Sequence, residues 1–303
     1  MKVSVKQINR MDIIIAENEQ IKIEIAPELG GKITSIFNKT LKKEFLWQNK
    51  NTELKPSLPG DDYDSCFWGG IDELIPNDIP EEIDSIKYPD HGELWTTTLK
   101  YELKDDHISL SGDLKLSGLY YRKDIFMDAG SPIIHMRYKI RNCSTGNRSF
   151  LWKLHAALAI GEGDRLITDA KKARVVDPDY SRFRNLNEFN WPIIEKTDAS
   201  IIPVKNKSVD FFYLYDNQQP EMNFLMQDGK YQFKYTYDKK IFPYQWYFAS
   251  YGGFYNHFTA ILEPCSSMPI SVNEAKSNNS CTFLAPGQGI NTLVSIYAGE
   301  NIK

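Results

Sequence analysis

The sequence predicts an all-β protein, and three features of its 303 residues lead to that prediction. Apolar and polar residues alternate along several short segments, as they do in half-buried strands. Aromatic residues make up 13% of the chain, and flat rings pack well on a pleated sheet. No stretch has the apolar periodicity of a long amphipathic helix. Short strands separated by turn residues are typical of a sandwich or a barrel.

Period-two alternation is clearest in QIKIEIA, where Ile21, Ile23 and Ile25 fall on one side of an extended chain. The intervening Lys22 and Glu24 fall on the other side, so the segment predicts a half-buried strand. Turn residues between similar segments predict three hairpins. Their turns lie at residues 104–106, at residues 128–132 and at Asp228-Gly229, the last joining VDFFYLY (209–215) to QDGKYQFKYTY (227–237).

Charge and cysteine content exclude several classes of function. The net charge is −4 and no basic stripe occurs, so we expect no nucleic-acid partner. The four cysteines lie far apart without C-x-x-C spacing, which argues against a structural zinc site and a disulfide framework. The N-terminal segment lacks signal-peptide features, and no run of about eighteen apolar residues occurs. We therefore expect a cytoplasmic protein of one domain, residues 1–303, with no membrane partner.

Two neighbouring segments rich in glycine and carboxylates are the first candidates for a site. In FWGGIDELIPND, residues 67–78, a glycine pair permits close backbone approach and precedes Asp72, Glu73 and Asp78. In YPDHGELW, His91 stands between an aspartate and a glycine, and an imidazole near its intrinsic pKa gives or takes a proton at neutral pH. A solvated turn and a surface histidine are the plain alternatives.

Two strand segments supply further candidates. In FLWKLHAALAI, residues 150–160, Lys153 and His155 share a face with small alanines, which leaves space as a ligand-facing sheet requires. HFTAILEP stays apolar until Glu263, and a buried carboxylate is costly unless it is paired or used. Partial burial would raise the pKa of Glu263 toward that of a useful base. His257 is a reserve candidate on the same face as Glu263. For His155 the plain alternative is a ring that is hydrogen-bonded to a neighbouring carbonyl. For Glu263 the plain alternative is a structural ion pair.

These motifs, in this order, resemble the galactose mutarotase-like family, the aldose 1-epimerases and their relatives. IEIAPELGGKITSIFNK resembles the opening of the family, and GGIDELIP followed by YPDHGELW resembles the segment with its first catalytic histidine, here His91. LWKLHAAL resembles the strand that carries the second histidine, here His155. AILEPCSSMPISVNEA resembles the late segment with the catalytic glutamate, here Glu263, and FLAPGQGINTLVSI resembles the closing strand.

The resemblance implies a single-domain antiparallel β-supersandwich with an open cleft. It also implies interconversion of the α and β anomers of an aldose by acid–base ring opening. Glu263 would be the base toward the anomeric hydroxyl, His155 the acid toward the ring oxygen, and His91 would assist at the same end of the sugar. We expect a small-molecule sugar, most simply a free aldose, as the partner, no cofactor, no metal, and a monomer or homodimer.

The chain departs from the family pattern where many members carry an arginine near the glycine pair. Trp68 stands there, and its ring can stack on the apolar face of a sugar. Lys153 would supply the missing cation. Asp72 and Glu73 would accept hydrogen bonds from sugar hydroxyls, and two carboxylates there disfavour a phosphorylated sugar.

Three other hypotheses stay open. A non-catalytic carbohydrate-binding protein on the same fold would bind sugar without accelerating anomer exchange. A lyase or hydrolase would need paired carboxylates, for which Glu263 with Asp72 or Glu73 could serve. A metal protein would use two histidines and a glutamate, namely His91, Glu93 and His155.

Overall fold

The computed structural model describes residues 1–184 and 187–302, and these residues form antiparallel strands with very little helix. The predicted all-β fold is confirmed. Strands of the first half are β1 (Lys2–Ile8), β2 (Met11–Glu17), β3 (Ile21–Ala26), β4 (Lys32–Asn38), β5 (Lys43–Glu44), β6 (Ile71–Leu74), β7 (Glu81–Ile83), β8 (Ile86–Tyr88), β9 (Lys100–Leu103), β10 (Ile108–Asp113), β11 (Leu119–Met127), β12 (Ile133–Asn142) and β13 (Arg148–Phe150). Strands of the second half are β14 (Lys153–Leu158), β15 (Arg165–Ile167), β16 (Lys172–Val175), β17 (Phe189–Asn190), β18 (Ile193–Ile194), β19 (Thr197–Asp198), β20 (Val209–Tyr215), β21 (Glu221–Met226), β22 (Tyr231–Thr236), β23 (Tyr244–Tyr251), β24 (Phe258–Cys265), β25 (Thr282–Leu284) and β26 (Gly289–Glu300).

The helical elements are short. Helix α1 (Tyr63–Cys66) begins after Asp62, whose side chain accepts a hydrogen bond from the backbone N–H of Ser65. Helix α2 (Val272–Ser277) and two 3₁₀ turns, Pro27–Leu29 and Leu94–Thr96, complete the set for the described ranges. In this part of the chain no helix is long and apolar enough to cross a membrane.

Two large antiparallel sheets organise the described residues. The larger has the order β1-β2-β3-β4-β6-β14-β24-β23-β20-β16-β17, with β5 paired to β4. The smaller has the order β15-β21-β22-β26-β12-β11-β10-β9. Three two-stranded ribbons, β7-β8, β13-β25 and β18-β19, are separate from both sheets. The strands β6, β14, β24 and β23 are therefore neighbours near the middle of the larger sheet.

The hydrophobic core lies between the two large sheets. Leu154 of β14 and Leu262 of β24 belong to the same fully buried cluster as Val294 and Ile296 of β26. Because side chains alternate along a strand, the residues next to Leu154 and Leu262 face away from this core. That outer face of the larger sheet carries the candidate site.

Two of the three predicted hairpins are confirmed, and the third is wrong in one strand. The first two form as β9–β10 and β11–β12, and the isoleucines of β3 are fully buried as predicted. Around Asp228-Gly229, however, β22 pairs with β21 and not with VDFFYLY. That segment is β20 in the larger sheet, between β16 and β23. The strand EMNFLM gives only a weak sequence signal, because asparagine and glutamate are depleted in strands.

A buried ion pair lies in the interior between the sheets. Lys123 of β11 and Glu73 of β6 both have fully buried side chains, and their charged atoms lie 2.9 Å apart. Tyr138 donates to Glu73 at 2.6 Å, and Lys123 also donates to the carbonyl of Gly31 at 2.8 Å. Since each charge has lost its water, each depends on these partners.

We therefore expect Lys123→Met to destabilise the fold by roughly 3–5 kcal/mol, because Glu73 would be left as an unpaired buried charge. Urea denaturation measures the free energy of unfolding. Lys139→Met removes an exposed lysine from the neighbouring strand and is the matched control, with an expected change within about 0.5 kcal/mol. Equal stability of the two variants would show that the pair contributes nothing.

Candidate functional site

A cavity of about 220 Å³ opens on the outer face of the larger sheet. Five polar side chains of its lining, here called the polar cluster, come from β14, from β24 and from the loops around β7 and β8. The polar cluster consists of Asp78, His91, Lys153, His155 and Glu263. The predicted catalytic residues thus line one cavity together with Lys153. The apolar part of the lining includes Phe67, Ile79, Val176, Phe211, Phe248, Phe254, Ile261 and Ile270.

Lys153 joins the two carboxylates of the polar cluster. Its Nζ lies 2.5 Å from Oδ1 of Asp78 and 2.8 Å from Oε2 of Glu263. All three side chains are buried, and the ammonium also lies 4.9 Å from the ring centre of Trp246. Burial alone would favour the neutral amine, but the two carboxylates raise the pKa of Lys153 above its ordinary value. Lys153 is therefore charged at neutral pH, and it forms ion pairs with both Asp78 and Glu263.

The two carboxylates differ in how readily they bind a proton. Burial raises the pKa of Glu263, and the adjacent Lys153 offsets only part of that rise. Burial acts in the same sense on Asp78, but Lys153 and His91 outweigh it and the pKa of Asp78 is lowered. Asp78 thus stays charged, while Glu263 is the carboxylate better suited to exchanging a proton.

The backbone of the YPDHGELW turn places His91 beside Asp78. His91 and Gly92 both have positive φ angles, 54° and 74°, and the N–H of His91 donates to the carbonyl of Asp78 at 2.9 Å. A side chain at Gly92 would put its Cβ 2.1 Å from the carbonyl oxygen of Ile75. Only glycine fits this close approach, so the turn is fixed against the segment that follows β6 and leads to Asp78.

The imidazole of His91 faces carboxylates on both sides. Its Nδ1 lies 2.9 Å from Oδ1 of Asp90, and its Nε2 lies 3.8 Å from Oδ1 of Asp78. Burial would lower the pKa of His91, but Asp90 and Asp78 together raise it above the ordinary value. His91 therefore holds a proton more tightly than a free histidine.

His155 has the opposite tendency. It lies on β14, next to Asp72 of β6, and its Nδ1 is 3.3 Å from the hydroxyl of Tyr63. Burial, followed by the positive charges of Lys153 and His91, holds the pKa of His155 well below its ordinary range. The imidazole of His155 is thus neutral at neutral pH.

The other three residues predicted to bind substrate lie outside the cavity lining. Asp72 and Glu73 are consecutive in β6 and so point to opposite faces of the sheet. Asp72 pairs with Lys32 at 2.6 Å, and Glu73 lies in the core with Lys123. Trp68 is half-buried in the segment before the glycine pair. Both carboxylates are buried and paired with lysines, and neither lines the cavity where a sugar would bind.

The aromatic walls of the cavity were missed in the sequence. Tyr63 and Phe67 come from the segment of α1, and Asp177 and Tyr180 come from the polar segment that follows β16. Phe67 opens the candidate segment 67–78, but no local pattern in the sequence points to Tyr63. Phe248 could have been found by strand pairing. It lies opposite Ile261 of β24, which points to the same face as Glu263 two residues later.

The reserve histidine does not line the cavity. His257 lies just before β24, with Nε2 3.3 Å from the amide nitrogen of Asn49. Its ring packs against Trp47 at a centroid distance of 4.7 Å. These contacts are structural ones beside the site.

Glu93, one of the three ligands of the metal hypothesis, has another structural role. The carboxylate of Glu93 accepts hydrogen bonds from the backbone N–H groups of Leu116 and Ser117, at 2.7 and 2.8 Å. It therefore serves as an anchor for the loop before β11. Across residues 1–184 and 187–302, no group of three or more His, Cys, Asp or Glu side chains could hold a metal ion.

Comparison with known sequences covers only the first part of the chain. Residues 2–72 match a family described as a domain of unknown function, DUF5107. No curated protein matches the sequence.

Comparison with solved structures covers nearly the whole chain. The Slr1438 protein from Synechocystis sp. PCC 6803 is 12% identical with a TM-score of 0.73, over 98% of this chain and 96% of that one. A galactose mutarotase-like protein from Clostridium acetobutylicum is 12% identical with a TM-score of 0.70, over 99% and 98%. A galactose mutarotase related enzyme from Lactobacillus acidophilus is 13% identical with a TM-score of 0.67, over 96% and 98%. The chain therefore has the galactose mutarotase-like fold, as predicted.

Proposed function

We propose that the chain is a mutarotase-type isomerase that interconverts the α and β anomers of a neutral free aldose. The observation that carries the proposal is the meeting of the polar cluster in one cavity. The cluster combines a carboxylate suited to accepting a proton, Glu263, with an imidazole suited to giving one, His91. The fold shared with galactose mutarotase-like proteins supports the same reaction class.

In the proposed reaction Glu263 takes the proton of the anomeric hydroxyl. A carbonyl forms at the first carbon, the bond from that carbon to the ring oxygen breaks, and the ring oxygen receives a proton from a histidine. Rotation about the first carbon–carbon bond then presents the other face of the carbonyl. The ring closes as the histidine recovers its proton and Glu263 returns its own, so no atom is gained or lost.

We assign the proton-donor role to His91 and not, as the family resemblance implies, to His155. The raised pKa of His91 favours the protonated ring that an acid needs. The lowered pKa of His155 favours a neutral ring, which suits a hydrogen-bonding partner of the sugar. Lys153 would keep Glu263 oriented and ionised between turnovers.

The remaining walls suit a neutral pyranose. Phe67, Phe248 and Ile261 line the cavity and offer apolar surface to the C–H face of a sugar ring. Asp64 and Asp177 also line it and add negative charge. Because Lys153 already pairs with two carboxylates, no unpaired lysine or arginine remains in the described lining to hold an anionic substrate.

We therefore expect a free aldose to be epimerised at least 10-fold more efficiently, by kcat/KM, than its 6-phosphate. An unpaired phosphate beside Asp64 and Asp177 would cost more than 1.4 kcal/mol, which corresponds to a factor of ten. Polarimetry on each freshly dissolved anomer measures both rates. Equal efficiency on the two substrates would contradict the charge argument.

Glycoside cleavage is the second candidate, because Asp78 and Glu263 are neighbouring carboxylates whose pKa values move in opposite directions. Lys153, however, contacts both carboxylates directly. It occupies the space where a scissile bond would have to lie. Mutarotation needs no carboxylate pair across a bond and fits this arrangement better.

A panel of pure anomers tests the proposed function. Neutral aldoses, aldose phosphates and aryl glycosides are each followed by polarimetry with and without the protein. Faster approach to anomeric equilibrium for one free aldose is the expected result. Release of aglycone would instead support cleavage. Ligand binding seen by NMR line broadening, without faster equilibration, would support a carbohydrate-binding protein.

A further inference from the structure

We infer that Tyr63 is a positioning residue for the catalytic histidines, and that it fixes His155 as the tautomer with its proton on Nδ1. The Nε2 atom of His155 would then present a lone pair to the cavity. The catalytic meaning of this arrangement rests on the proposed function. The tautomer itself is a property of the protein without substrate, so it can be tested separately.

The ring of Tyr63 contacts both histidines of the polar cluster. It stacks on His91 with ring centres 4.1 Å apart and planes inclined by 14°. It meets His155 edge-on, with centres 5.8 Å apart and planes inclined by 81°. Trp95 packs edge-on against Tyr63 at 5.1 Å, and the tyrosine is only 3% exposed. One buried ring therefore packs against both imidazoles and restrains their orientation.

The hydroxyl of Tyr63 has one hydrogen and two polar neighbours. Oδ2 of Asp72 lies 2.8 Å away, and Nδ1 of His155 lies 3.3 Å away. Lys32 donates to the same Asp72 oxygen at 2.6 Å, so this oxygen already acts as a hydrogen-bond acceptor. A charged acceptor at the shorter distance is the stronger partner, so the hydroxyl hydrogen points to Asp72.

The orientation of this hydroxyl decides the tautomer of His155. Because the Tyr63 hydroxyl donates its hydrogen bond to Asp72, it can only accept a hydrogen bond from the imidazole. That hydrogen bond requires a proton on Nδ1 of His155. The ring of His155 is neutral because burial and neighbouring cations lower its pKa, so Nε2 then carries no proton. His155 would accept a hydrogen bond from a sugar hydroxyl, while His91 donates. Tyr63 thus gives the two histidines different roles.

Nitrogen NMR of histidine side chains tests the inference on the unliganded protein. The protein is labelled with ¹⁵N-histidine, and the signals of His155 are assigned from their loss in His155→Gln. The expected wild-type spectrum shows a protonated Nδ1 and a lone-pair Nε2 for His155 at neutral pH. In Tyr63→Phe the acceptor of Nδ1 is lost, and we expect the two shifts to converge or to exchange places.

Controls keep the test specific to the hydroxyl. Tyr180→Phe removes a hydroxyl from another tyrosine of the same cavity and should leave the His155 shifts unchanged. Unchanged signals of the distant His107 and His135 would show that Tyr63→Phe is folded. Should that variant fail to fold, Asp72→Asn retains the side-chain shape and should move the His155 shifts in the same direction.

A wild-type Nε2–H tautomer would overturn the inference, as would identical His155 shifts in wild type and the folded variants. If the protein also accelerates anomer exchange, Tyr63→Phe should lower kcat with little change in KM. The NMR result needs no activity, so it is independent of whether an aldose is epimerised.

Discussion

Replacing Glu263 with glutamine is expected to lower the rate of anomer exchange by roughly 10²- to 10⁴-fold, the usual contribution of a positioned acid–base group. Glutamine has the shape of glutamate and keeps an oxygen for Lys153, but its amide does not accept a proton at neutral pH. The loss should therefore appear in kcat more than in KM. Exchange measured at saturating sugar, for wild type and Glu263→Gln, provides the comparison.

The same substitution at Glu274 is the matched control. Glu274 is an exposed residue of α2, outside the cavity lining, and Glu274→Gln should retain the wild-type rate. Urea denaturation of both variants separates loss of the base from loss of the fold. Wild-type exchange by a folded Glu263→Gln protein would exclude Glu263 as the base.

Replacing His91 with glutamine is expected to cause a loss of similar size, roughly 10²- to 10⁴-fold, and to change the pH dependence. The wild-type rate requires His91 protonated and Glu263 ionised. The pKa of His91 is raised from 6.5, so the rate should fall only at a pH above that value. The pKa of Glu263 is raised from 4.5, so as the pH is lowered the rate should begin to fall at a higher pH than an ordinary glutamate would give. His91→Gln should lose the alkaline fall and keep the acid one, as shown by a pH–rate profile.

His155→Gln gives the comparison that separates the two histidines. It should slow the reaction through weaker sugar orientation but keep the alkaline fall that belongs to His91. His135→Gln, on the strand β12 of the other sheet, should leave the profile unchanged. If His155→Gln removed the alkaline fall instead, His155 would be the acid, as the family resemblance implies.

Alternation along strands predicted much of the fold and part of the site. Period two in β14 places Lys153 and His155 on one face and the core leucines on the other, as the structure has them. The same rule applied to IDEL would have placed Asp72 and Glu73 on opposite faces. The prediction that both side chains accept hydrogen bonds from one sugar conflicts with that alternation.

Contacts between buried side chains from distant parts of the chain could not be predicted from the sequence. Lys32 lies 40 residues from Asp72, and Lys123 lies 50 residues from Glu73, yet each neutralises its carboxylate. Tyr63 precedes its contact His155 by 92 residues. No local pattern specifies which buried charge meets which, because those contacts depend on how the two sheets and the loops above them pack.

Two-dimensional exchange NMR at anomeric equilibrium is the most direct test of the central claim. The sugar is the free aldose that equilibrates fastest in the polarimetric panel. We predict cross-peaks between the α and β anomeric protons with wild-type protein, and their loss with Glu263→Gln at the same concentration. Equal cross-peaks with both proteins, or none beyond buffer with wild type across neutral aldoses, would contradict it.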